Sequence, residues 1–213
     1  MILPESLGYG NAAPDPLTQN HPPAEAIRLN KPPELLFERR ELVDQVVVPL
    51  DPVDLQLLPP EQHRHIRGLL ARHGETPWNA EGRYQGQVDI PLSEVGIGQA
   101  VALGQRLQDV QVDRAVASPL ARATRTAQLA LGEDRAPMLT FDDGLLEIAH
   151  GEWEGLLASE IAQRDPQRLQ AWKDAPESVL MPGGESLQMV LDRAWPALER
   201  ACVGLGADDT LLV

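Results

Sequence analysis

Gly68-Leu69-Leu70-Ala71-Arg72-His73-Gly74-Glu75-Thr76 is the stretch that decides the fold. Its first four residues form a short apolar run of the buried-strand type. The run passes without a break into Arg-His-Gly. In open α/β sheets, binding and reactive groups lie just beyond the carboxyl ends of strands. A His at that place stands beside a fixed positive charge, and Gly74 lets the backbone come close to a ligand. Downstream, Ala100, Leu103, Leu107 and Val110 fall at helical spacing within 93–110, and Ala115-Val116-Ala117 reads as a second short strand. Ser118 and Pro119 then predict a helix to about Leu131, with Ser118 as N-cap and Pro119 in the first helical position. Met138 to Phe141 reads as a third strand. Gly184 to Leu205 reads as a long helix with an apolar side, which Pro196 should bend. Thr210-Leu211-Leu212-Val213 starts another strand. Strands alternating with helices predict an α/β fold: a three-layer sandwich with a mostly parallel sheet and helices on both faces.

Upstream of this stretch the chain is different. Residues 1–66 hold eleven of the nineteen prolines, and proline fixes φ and removes a backbone donor. This part is expected to be a proline-rich extended linker or tail, or the remnant of a preceding domain, in which Val46-Val47-Val48 makes a short edge strand. The domain is expected over 67–213. The net charge of −14 excludes nucleic acid and acidic membrane surfaces as partners. It allows an anionic small molecule only where arginines build a local positive pocket. The lone cysteine, Cys202, cannot form an internal disulfide, and it is expected to act as a small buried hydrophobe. The N-terminus lacks the basic and apolar regions of a signal peptide, and no apolar run is long enough to span a bilayer. A cytoplasmic protein is expected. Self-association into a homo-oligomer stays open.

Three segments carry chemistry. Neutral imidazole is a competent nucleophile near neutral pH, which suits His73. A helix N-terminus with free N–H groups suits phosphate, and Arg122 in its first turn adds a guanidinium fork. Glu147, between apolar neighbours in Leu145-Leu146-Glu147-Ile148-Ala149, is placed for general acid catalysis. Each also has a plain explanation: a structural His, a surface Arg on a capped helix, a Glu paired with an Arg.

Their order and wording together resemble the histidine phosphatase superfamily, also called phosphoglycerate-mutase-like, and most closely its cyanobacterial members. The matching text includes 70–79, Arg83 to Leu92, 96–100, Ser118 to Ala127, Leu145 to Gly155 and Pro182-Gly183-Gly184-Glu185-Ser186-Leu187. The resemblance implies that His73 accepts a phosphoryl group. Arg72 and Arg122 would hold its oxygens, with Asn79, Gln85 and Gly86 along the pocket. Glu147 would protonate the leaving oxygen and then activate water. It implies no cofactor and no metal, and a small phosphorylated metabolite as substrate. His150 stands where the mutase branch carries a Tyr, which places the chain nearer the phosphatase branch. Substrate contact by His150 and a surface position are both open.

The family's second catalytic His follows a late strand. Here the late strand is 209–213, so the expectation is a C-terminally truncated domain. The function expected is a phosphatase acting on a small phosphomonoester. A phosphoglycerate mutase is the alternative enzyme, and an impaired member that binds a phosphorylated ligand or a partner is the alternative outside catalysis. His73, Arg72, Arg122 and Glu147 should converge on one concave pocket. Two guanidinium groups so close repel unless they share an anion, so the pocket should bind phosphate.

Overall fold

A computed structural model of the chain describes residues 66–213 together with the backbone of 47–50. The expected linker over 1–66, Val46 included, otherwise lies outside the described residues. Apart from Ile66, its one described piece is β1 (Val47–Leu50), which pairs antiparallel with β2 (Arg67–Ala71), Val47 opposite Ala71 and Leu50 opposite Gly68. The strand therefore takes in Pro49, beyond the three valines that predict it. β1 is an edge strand, where a residue without an N–H is tolerated.

The sheet runs β1-β2-β5-β3-β4, with β3 (Arg114–Ala117), β4 (Leu139–Phe141) and β5 (Thr210–Leu212). All pairings among β2, β5, β3 and β4 are parallel. Side chains alternate across a strand, and the core follows that alternation. Leu69, Ala115 and Leu212 face Leu103 and Leu107 of one helical segment and Ala130 and Leu131 of another. Val116 and Leu211 face the other way, onto Ala201 and Leu205. This is the expected three-layer α/β arrangement. Helices α2 (Glu94–Arg106) and α3 (Ala121–Arg135) cover one face, and α6 (Leu187–Cys202) covers the other. A separate apolar cluster, including Ile148, Trp153, Ile161, Leu169 and Met181, packs around α4 (Ala158–Arg164) and α5 (Pro166–Asp174). The remaining helix, α1 (Pro77–Glu81), is a single turn after β2.

Three boundaries differ from the sequence reading, the first two for a tertiary reason. Ser93 caps α2 by accepting from the Gly96 N–H at 3.1 Å, but the helix ends at Arg106, short of Val110. The carbonyls of Leu107 and Val110 accept instead from Arg135 Nη1, at 3.0 and 3.2 Å. Helix α3 begins at Ala121 and not at Pro119. Ser118 is not its cap, because the Ala121 N–H is taken by the Asp89 carboxylate at 2.7 Å. Helix α6 starts at Leu187 behind Ser186, whose hydroxyl accepts from the Met189 N–H at 3.3 Å, and continues through Pro196 to Cys202. Cys202 is half-buried at the margin of the second cluster, and burial pushes its thiol pKa up.

Candidate active site

The site begins where β2 ends. Gly74 packs so close to the start of α2 that a Cβ on it would stand 2.4 Å from the Gly96 carbonyl oxygen. This approach fixes the backbone next to His73. The ring follows, because Nδ1 lies 2.7 Å from the Gly74 carbonyl oxygen. A carbonyl only accepts, so the neutral ring carries its proton on Nδ1 and leaves the Nε2 lone pair free. Burial holds the His73 pKa below its ordinary value. The Gly74 carbonyl acts against this, Arg122 and Arg72 add to the lowering, and Glu147 raises it. The ring is therefore neutral near pH 7, with a nucleophilic nitrogen pointing away from its anchor.

The same charges show that Arg72, Arg122 and Glu147 all stand close enough to act on this ring, although the chain spreads the four residues over 72–147. Arg72 is exposed, whereas Arg122 is 1% exposed and is among the largest fully buried side chains. The Arg122 guanidinium donates Nη2 to the Gly86 carbonyl at 2.6 Å and Nη1 to the Val88 carbonyl at 3.0 Å. Of its five N–H donors, these bonds use two. Among the described residues no carboxylate lies within ion-pair distance of it, and Glu147, Asp89 and Glu154 act on it only from farther away. A buried cation without a counter-charge is costly, and an anion relieves the cost.

Glu147 is exposed, so its apolar sequence neighbours do not enclose it. One of its carboxylate oxygens accepts from the Ile148 N–H at 3.2 Å. The site is accordingly open. Cavities of about 290 Å³, beside Phe141 and Arg200, and about 460 Å³, beside Gly132 and Glu133, contain none of the candidate residues.

The other candidates each make local contacts. Asn79 spends its side-chain oxygen on the cap of α1, accepting from the Thr76 N–H at 3.1 Å. Gln85 is buried and accepts from the Thr76 hydroxyl. Gly86 presents its carbonyl to Arg122. It has φ +60°, and a Cβ there would meet Glu154 Oε1 at 2.1 Å. His150 is half-buried, edge-on to Tyr84 at 5.1 Å and Trp172 at 5.8 Å, with its Nδ1 buried and without a hydrogen-bond partner. Burial lowers its pKa, opposed by Glu147 and Glu154.

Residues that the sequence reading passes over hold these parts together. Glu154 accepts from the Gln87 N–H (3.0 Å) and the His150 N–H (3.1 Å) through Oε1, and from the Val88 N–H (3.2 Å) through Oε2. Thr126 lies one helical turn after Arg122, a spacing that could have flagged it. Glu185 and Arg193 reach the Glu147 loop from α6 and its lead-in, and only the Gly-Gly-Glu-Ser motif hints at a role for that region.

Known proteins match this chain over much of its length. A 39% identical relative is the phosphoserine phosphatase 1 of Hydrogenobacter thermophilus, over 134 residues covering 63% of each chain. At 36% over 136 residues, covering 62% of this chain and 61% of the other, stands the "Probable phosphoglycerate mutase GpmB" of Salmonella choleraesuis. The chain thus spans less than two thirds of the length of either relative. The alpha-ribazole phosphatase of Shigella flexneri superposes with a TM-score of 0.63 at 32% identity, covering 70% of this chain and 73% of that one. The sequence profile of the histidine phosphatase superfamily (branch 1) matches residues 69–213, and the chain belongs to that family.

Proposed function

We propose that this protein hydrolyses a small phosphomonoester through a phosphohistidine on His73. The observation that carries the reading is the pairing of a neutral His73, its Nδ1 tied to a carbonyl, with a buried Arg122 that has no ion-pair partner among the described residues. The Nε2 lone pair forms a bond to phosphorus while the phosphorus–oxygen bond to the leaving group breaks. The departing oxygen keeps that electron pair and takes a proton from the Glu147 carboxyl group. Water then attacks phosphorus and gives a proton to the Glu147 carboxylate. The nitrogen–phosphorus bond breaks with its electrons returning to Nε2. Arg122 and Arg72 offset the charge on the phosphoryl oxygens, which together with positioning makes up most of the catalysis this chemistry needs. Asn79, Gln85 and Gly86 line the site, and His150 is a further candidate for contact with the substrate.

Phosphoserine is the first substrate to try, since a 39% identical relative is a phosphoserine phosphatase. A mutase reading draws on the relative that bears that name. The two separate on product, which is inorganic phosphate in one case and an isomerised phosphoester in the other. A cytoplasmic location is the companion proposal, supported by the composition, and no helix among the described residues is long and apolar enough to cross a membrane. The test is brief exposure to labelled substrate followed by acid and alkaline treatment. An acid-labile, alkali-stable label that His73→Ala abolishes supports the reading. Turnover without such a label overturns it, and so does binding without turnover, which would favour the ligand-binding alternative.

A further inference from the structure

The segment carrying Glu147 leaves β4 through a single tight turn at Asp143–Leu145 and then runs as irregular backbone. Such backbone has no ladder to occupy its carbonyls, yet three of them aim at one side chain. Arg193 of α6 donates Nη1 to the carbonyls of Gly144 (2.8 Å) and Leu146 (2.7 Å), and Nη2 to the carbonyl of Glu147 itself (3.0 Å). The guanidinium is braced by Glu185, with Nε to Oε1 at 2.8 Å and Nη2 to Oε2 at 2.9 Å. Glu185 Oε2 also accepts from the Ala149 N–H at 2.9 Å. Glu147 is thus held at its own carbonyl and on its preceding side by one planar fork, whose donors point in fixed directions, and on its following side by the carboxylate that braces that fork.

Two further features converge on the same residue. A Cβ on Gly184 would stand 2.1 Å from the Ala149 carbonyl oxygen, so the lead-in to α6 reaches the Glu147 loop only because that position is glycine. Gln87 Nε2 donates to the Glu147 carbonyl at 3.0 Å, and the carbonyls flanking Gln87 are the two that hold Arg122. The segment 86–88 therefore links the arginine beside His73 to the backbone of Glu147.

We propose that Arg193, braced by Glu185, is the positioning residue for Glu147 and sets where its carboxylate stands relative to His73. This rests on the acid–base reading of Glu147 given above. The Gly-Gly-Glu-Ser motif acquires a function by the same route. Gly184 permits the approach, Glu185 fixes the fork, and the fork fixes Glu147.

Leaving groups separate positioning from mere structural support. A nitrophenolate departs with little need of a proton, whereas an alkoxide needs one. The purified protein is assayed with an alkyl phosphate and with p-nitrophenyl phosphate, as wild type, Glu147→Gln, Arg193→Lys and Arg193→Met. Glu147→Gln should lower kcat/KM, which reports phosphoryl transfer to His73 and not the later attack of water, by roughly a hundredfold for the alkyl ester, the lower end of what general acid catalysis supplies, and far less for the aryl ester. Arg193→Lys should show the same selectivity in kcat/KM at roughly tenfold. Arg193→Met should show more. Thermal unfolding of each variant reports on folding, and Arg193→Lys carries the test if Arg193→Met does not fold. Selectivity in the Arg193 variants supports the proposal. Equal losses on both esters, or none on either, overturn it while leaving the Glu147 reading intact. If Glu147→Gln shows no selectivity, or the wild type hydrolyses neither ester, the acid–base reading itself fails and this inference with it.

Discussion

The Gly74 N–H donates to the Thr126 hydroxyl at 3.0 Å across fifty-two residues of chain, and that hydroxyl donates in turn to the Arg122 carbonyl at 2.8 Å. One buried hydroxyl thereby joins the residue after His73 to the helical turn that carries Arg122. Thr126→Val keeps the shape and removes both bonds. Removing one partner of a buried hydrogen bond costs about 1–3 kcal/mol, and chemical denaturation should show a loss of that size. Activity should fall further than stability accounts for, because the spacing between His73 and Arg122 relaxes. Wild-type kcat in a variant of reduced stability would contradict this link.

Arg122 yields a prediction about ligands. Inorganic phosphate should raise the wild-type Tm by binding the folded state alone. Arg122→Met removes the buried cation and with it the reason for an anion to bind, so phosphate should leave its Tm unmoved. Hydrogen bonds to charged groups contribute about 1.5–3 kcal/mol each, so Arg122→Lys, which lacks the fork, should weaken inhibition by vanadate roughly ten- to a hundredfold. Equal shifts with phosphate in wild type and Arg122→Met would place the anion elsewhere.

The pH dependence of kcat/KM follows from His73. The reactive form is neutral, and burial, Arg122 and Arg72 lower the pKa of the ring. The acid limb should therefore lie below the ordinary imidazole value of about 6.5. Arg72→Gln removes one of the lowering charges, so the limb should move toward higher pH. The move should be small, because Arg72 is exposed and screened by solvent. A limb that moved to lower pH in Arg72→Gln would refute the assignment.

Stability carries a separate pH signature. His73 and His150 are both held below their ordinary pKa, chiefly by burial, although Glu147 and Glu154 oppose this at His150. Between the folded and unfolded values the unfolded chain binds more protons. Stability should therefore fall as pH drops below about 6.5 and go on falling until the folded rings titrate. The depressed carboxyls of Glu185 and Asp142 add their losses only farther down, in the carboxylate range. Denaturant midpoints at pH 7 and 5 should differ less in His150→Phe, which keeps an aromatic ring between Tyr84 and Trp172, than in wild type.

The parts of the molecule that local patterning controls are open to reading from sequence. The strand run ending at Ala71, the periodic apolar positions of α2 and the Ser186 end of α6 are each legible to within a few residues. His73 and Arg122 stand out because both follow strand ends. What escapes is set by partners distant in the chain. No local rule says that Asp89 will occupy the start of α3 and displace Ser118 as its cap. The exposure of Glu147 is hidden because its neighbours in sequence are apolar, while its surroundings are decided by Arg193 and Gln87. The short helices α4 and α5 pack against Ile148 and Met181, and their periodicity is too brief to announce them.

The order of strands in the sheet has a consequence for how the protein is made. β5 lies between β2 and β3, and Arg67 pairs with Thr210. A ribosome delivers β2 and β3 long before the strand that separates them. Until Thr210 to Leu212 emerge, β2 and β3 have no strand between them, and the two strands that aim His73 and Arg122 are not held in register. Contacts this distant in the chain close late and slowly. Local helices such as α2 and α3 can form early in synthesis, whereas the catalytic geometry comes into being only when the sheet acquires its middle.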